Sequence, residues 1–101
     1  MASNTGLDLE DFIELTEMLV DVSTNDAAQY QKAVEEGDHY SASQSAHSIK
    51  GASANLGFTD IASAASTLES LAKNKDFNDY ESYLTQINEQ IKLIKERLDA
   101  N

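Results

Sequence analysis

One helical phase runs unbroken from Leu9 to Val34, and no proline interrupts it. Leu9, Ile13, Thr16, Val20, Ser23, Ala27, Tyr30 and Val34 alternate steps of four and three, so they fall on one stripe of a helix. Phe12 and Leu19 widen that stripe. Ser23-Thr24-Asn25-Asp26 are residues that favour helix caps, so a bend or split is the alternative reading there. The stripe stays in phase through them, which favours one long helix from about Asp8 to Glu36. Proline, the strongest helix breaker, is absent from all 101 residues. The punctuation is confined to Gly37-Asp38, Gly57 through Thr59, and Asn74 through Asn78, and it divides the chain into four segments.

The second segment, about His39 to Asn55, opens after Asp38 as its N-cap and closes near Gly57, suited to a left-handed C-cap. Its inner stripe is Ala42, Ala46, Ile49, Ser53 and Leu56, small enough for close contact with neighbouring helices. The third begins after Thr59, read as an N-cap, and runs to about Ala72, burying Ile61, Ala65, Leu68 and Leu71/Ala72. Lys73 and Lys75 follow where cations suit the helix dipole. The fourth starts after Asn78 and carries Tyr80, Leu84, Ile87, Ile91, Ile94 and Leu98 on one face. That stripe is too short for a sustained coiled coil and is better buried inside a bundle. The expected fold is all-α, an antiparallel four-helix bundle in a single domain over residues 1–101.

The net charge is −11, with 18 acids and 7 bases. Such a surface repels phosphate backbones and anionic lipid, so neither nucleic acid nor membrane is an expected partner. Without cysteine there is no disulfide, thiolate metal site or cysteine nucleophile. No apolar run reaches the ~18 residues of a membrane span. The start, Met-Ala-Ser-Asn-Thr-Gly, lacks the basic and apolar parts of a secretory leader, so a cytoplasmic location is expected.

The charge is unevenly placed. Residues 1–38 carry −9, residues 39–75 carry +1 and residues 76–101 carry −3. Between Asp38 and Asp60 there is no acid, and the only base is Lys50. Small packing residues account for the inner face of this helix but not for the missing carboxylates outside. A site that must accept a phosphoryl group accounts for both, because carboxylates would repel it.

This helix contains His47. At ~100° per residue, Gly51 lies about 40° from it, Ala54 about −20°, Ser43 about −40° and Lys50 about −60°, with the inner residues on the opposite side. His47 is therefore expected to face outward, among small neighbours. Tyr40 lies two turns back on the same side, and Gln44 and Ser48 are polar neighbours. Imidazole is nucleophilic near neutral pH, and Lys50 could pair with an added phosphate as a mobile point charge. Glycine inside a helix costs about 1 kcal/mol relative to alanine. At Gly51 it marks either a close helix crossing or clearance for a partner's backbone, and its outward angle favours clearance. His39 and His47, eight residues apart with no acid between them, make a poor metal site; His39 reads as a solvated first-turn residue.

The run Ala46-His47-Ser48-Ile49-Lys50-Gly51-Ala52-Ser53-Ala54-Asn55-Leu56-Gly57 resembles the histidine-containing phosphotransfer (HPt) domain family. Its signature reads Ala-His-x-Leu-Lys-Gly-x-Ser-x-x-Leu-Gly, with only the Leu replaced here, by Ile49. The likeness extends through Ala33, Gly37-Asp38 and Leu68-Glu69, over about residues 10 to 98. It implies a four-helix bundle that accepts a phosphoryl group on His47, usually at Nε2, and exchanges it with aspartates of response-regulator receiver domains. It further implies that Lys50 assists the phosphorylated form and that Gly51 leaves room for the receiver. By their positions around His47, Ser43, Gln44, Ala54 and Tyr40 are the candidate docking surface. The expected partners are receiver domains and a sensor histidine kinase, hybrid or not. The chain is expected to be a monomeric carrier, not a turnover enzyme, with no bound cofactor and Mg²⁺ on the receiver. The alternative is a helical module that docks a receiver or kinase without being phosphorylated; the intact His47, Lys50 and Gly51 argue against it.

Overall fold

A computed structural model of the chain describes residues 9–100. Met1 to Gly6 and Asp8, the expected start of the first helix, lie outside the described residues, as does the side chain of Leu9. Four helices follow in order: α1 (Leu9–Glu36), α2 (His39–Asn55), α3 (Thr59–Lys73) and α4 (Tyr80–Ala100). Each packs against the next, and α4 closes back onto α1, giving an antiparallel bundle. At 28 residues and 1.5 Å per residue, α1 runs most of the bundle's 49 Å length.

The cap-favouring run Ser23 to Asp26 does not divide α1, which is helical throughout. Ser23 is fully buried there. Burial of the stripe outweighs the weak local preference of these residues, since tertiary packing supplies most helical stability in proteins. From Thr16 to Ala33, α1 buries Thr16, Leu19, Val20, Ser23, Ala27, Tyr30 and Ala33.

The helices stop as backbone chemistry requires. At the end of α1 the Gly37 amide donates to Val34 O and the Asp38 amide to Ala33 O, the paired bonds of a Schellman cap. The same pair closes α2, from Gly57 to Ala54 and from Phe58 to Ser53. Both glycines sit at positive φ, 72° and 81°. α3 ends with the same two bonds, from Lys75 to Ala72 and from Asp76 to Leu71, but here Lys75 takes the left-handed position at φ 58°. Asp38 caps α2 as expected: its carboxylate accepts from the Ser41 amide and hydroxyl, and these bonds lower its pKa. Thr59 is not the N-cap of α3. Phe58 holds that position without a side-chain bond, and Thr59 is the first helical residue.

α2 sits close to both neighbours because its buried face is small: Ala42, Ser43, Ser45, Ala46, Ile49 and Ser53. Ser53 satisfies its hydroxyl within the helix by donating to Ile49 O at 2.6 Å. Tyr30 crosses the core from α1 and donates to Leu68 O at 2.9 Å. Burial, with the neighbouring Tyr80, pushes its phenol up to about 12. That bond ties α1 to α3 beside Glu69. Among the described residues no helix is long and apolar enough to cross a membrane.

Candidate functional site

His47 lies near the middle of α2, its ring directed away from the core, with 63% of the side chain exposed. Gly51, one turn on, is also exposed, and a Cβ built there meets nothing within 4 Å. Among the described residues no neighbouring helix needs that space, so the glycine is not there to let another helix approach. Gln44 and Ala54 are exposed on the same side, and Tyr40 stands 75% exposed two turns away. Ser43 departs from expectation: it is only 6% exposed and is not part of the free surface. At about −40° it lies on the flank of Lys50, which meets Glu69 of α3, and its short side chain is covered by its surroundings.

His39 also departs from expectation. Its ring stacks on Phe77 at 4.9 Å and 5°, half-buried, and is no free first-turn residue. The loop between α3 and α4 brings Phe77 over the start of α2, an approach that no local pattern encodes.

The acid-free face of α2 is not an acid-free site. Glu69 reaches in from α3, with 9% of its side chain exposed, and places Oε2 at 3.1 Å from His47 Nδ1. Its Oε1 lies 2.9 Å from Lys50 Nζ, and Oε2 also lies 3.1 Å from Lys73 Nζ. One nearly buried carboxylate thus joins an imidazole and two ammonium groups. The Lys50 bond is the largest influence on it, followed among the favourable ones by Lys73. Together they outweigh the cost of burial and hold the carboxyl at about 2.

This fixes the chemistry of the imidazole. Glu69 is ionised at neutral pH and can only accept. His47 Nδ1 must therefore carry the proton and donate it. In the neutral ring the lone pair then belongs to Nε2, the nitrogen away from Glu69. The arrangement is an oriented nucleophile beside paired positive charge, with open space above it. Lys50 does not float freely one turn from His47; it is 36% exposed and tied to the carboxylate that holds the ring.

Sequence reasoning did not find Glu69 as a site residue. Two signals bear on it. It follows Leu68, at the edge of the buried stripe of α3, and it stands four residues before Lys73, the spacing of a helix ion pair.

Residues 14–100 match the sequence model of the Hpt domain family, and the chain belongs to that family. The crystal structure of histidine-containing phosphotransfer protein B (HptB) from Pseudomonas aeruginosa PAO1 shares the fold, with a TM-score of 0.80. That likeness covers 97% of this chain and 95% of that one at 22% sequence identity. No match was found among curated protein sequences. Hpt domains are phosphotransfer carriers of phosphorelays, working with receiver domains and histidine kinases, and this chain is such a carrier.

Proposed function

We propose that His47 is the phosphoryl acceptor and donor of this carrier, exchanging phosphate with the aspartate of a response-regulator receiver domain, and that a sensor histidine kinase stands upstream. The observation that carries this is the 3.1 Å contact of His47 Nδ1 with an ionised Glu69, which leaves Nε2 as the free nucleophile on an exposed helix face.

The Nε2 lone pair attacks phosphorus as the bond to the receiver's carboxylate breaks, and that carboxylate leaves with the electron pair. The proton on Nδ1 stays where it is. The ring gains positive charge during attack, and the fixed Glu69 carboxylate is already placed to stabilise it. Phosphoryl transfer needs mainly positioning and charge stabilisation, which a rigid helix surface supplies. Lys50 balances the incoming phosphate. Gly51, with Ala54 and Gln44, leaves room for the receiver's backbone, and Tyr40 forms the rim of the contact. Mg²⁺ belongs to the receiver.

The test is transfer of labelled phosphate from a phosphorylated receiver domain to the wild-type chain and to His47→Gln. Label is expected on the wild type alone, acid-labile and alkali-stable, with identical helical circular dichroism in the two proteins. Label retained by His47→Gln refutes the assignment.

A further inference from the structure

Lys73 is the last residue of α3, four residues after Glu69, and its side chain is 63% exposed. An exposed pair at this spacing ordinarily contributes little. This one has an unusual partner: its Nζ bonds the same Oε2 that receives His47 Nδ1, each at 3.1 Å. Two contacts on one oxygen keep Nζ within about 6 Å of the ring nitrogen. The single negative charge of Glu69 is already matched by Lys50 at 2.9 Å. With a neutral imidazole, Lys73 therefore gives the four-residue cluster a surplus of one positive charge, and α2 contributes no acid to cancel it.

We infer that Lys73 is the second counter-charge of the phosphorylated site, held on Glu69 until the phosphoryl group arrives. This rests on His47 being the acceptor. Transfer places a dianionic phosphoryl group on Nε2 and leaves the ring cationic, a net gain of one negative charge. With both lysines the cluster passes from +1 to neutral. With Lys50 alone it passes from neutral to −1. The means of reaching the phosphate is also present. Lys73 carries a compact ammonium on a flexible four-carbon stem that lies mostly in solvent, so it can turn from Oε2 toward the phosphate without unpacking the core. Lys73 forms and breaks no covalent bond; the N–P bond still forms as the receiver's P–O bond breaks.

The experiment compares wild type, Lys73→Gln and Lys73→Arg in the full chain, each labelled by a phosphorylated receiver. Absence of label on wild-type His47 defeats the acceptor assignment itself, before Lys73 is at issue. With label present, two quantities are read: the equilibrium ratio of phosphorylated carrier to phosphorylated receiver, and the ³¹P titration of the N-phosphoryl group. One unit charge at this range predicts that Lys73→Gln shifts the equilibrium toward the receiver by roughly three- to tenfold. It also predicts an upward shift of the phosphoryl ionisation. Both effects shrink as salt rises, and Lys73→Arg restores both. Lys73→Gln also loses part of the ion pairing of Glu69, a small fall in Tm that is measured separately and does not itself move the phosphotransfer equilibrium. A role confined to the helix ion pair moves neither quantity, and wild-type values in Lys73→Gln overturn the inference. Slower transfer at an unaltered equilibrium overturns it too, since that makes Lys73 a docking charge.

Discussion

Replacing Glu69 with glutamine keeps the side chain's shape and removes its charge, so it isolates what that charge does. The folded carboxyl is held at about 2 against an ordinary 4.5. Between those values the unfolded chain binds more protons at this site than the folded one, so stability rises with pH across the interval. The contribution is complete above about pH 5.5 and disappears as pH falls through the folded value. Converted at 1.36 kcal/mol per pKa unit, the difference is roughly 3 kcal/mol. Lys50 and Lys73 are 36% and 63% exposed, and solvent screening of such partners reduces this to about 1–2 kcal/mol. Urea unfolding of wild type and Glu69→Gln at pH 7, 3 and 2 measures it, because the difference between the two proteins cancels the other carboxylates. Glu69→Gln is expected to be less stable by about 1–2 kcal/mol at pH 7, with more than half the gap closed at pH 3 and little left at pH 2. A gap that does not change with pH, or its absence at pH 7, refutes the reasoning.

Gly51→Ala gains helix propensity and meets nothing, so it should stabilise the free protein by up to about 1 kcal/mol, a rise of roughly 4–8 °C in Tm; a fall in Tm contradicts the open face. Gly51→Gln should fold and should keep any labelling that a small donor such as phosphoramidate gives the wild type, while transfer from a receiver slows. Lys75→Gly relieves a left-handed residue at φ 58° and should stabilise by about 0.5–1 kcal/mol in chemical unfolding, whereas a loss of stability would show that the lysine side chain makes a compensating contact.

The helices were legible because their signals are local. Stripes in fixed phase, Gly37 and Gly57 at two helix ends, and Asp38 as a cap need only neighbours along the chain. The outward direction of His47 and the open side of Gly51 followed from helix geometry alone. The features that escaped are contacts between distant segments. Glu69 lies 22 residues from His47, and removing acids from α2 says nothing about an acid supplied by α3. Ser43 is on the side predicted for it but is covered by its surroundings, which an angle on an isolated helix cannot register. His39 meets Phe77 only because the α3–α4 loop folds back over α2. At Ser23 the two local signals conflicted, and the in-phase stripe, which favoured one long helix, outweighed the cap preference as expected.

The central claim is that Glu69 holds the Nδ1 proton of His47 and so directs phosphate to Nε2. Nitrogen-15 and ³¹P NMR of the phosphorylated chain, labelled at histidine, reads this directly. The account predicts one phosphorylated histidine, His47, with phosphorus coupled to Nε2 and the proton retained on Nδ1. Phosphorus coupled to Nδ1, or carried by His39 or a non-histidine residue, would contradict it.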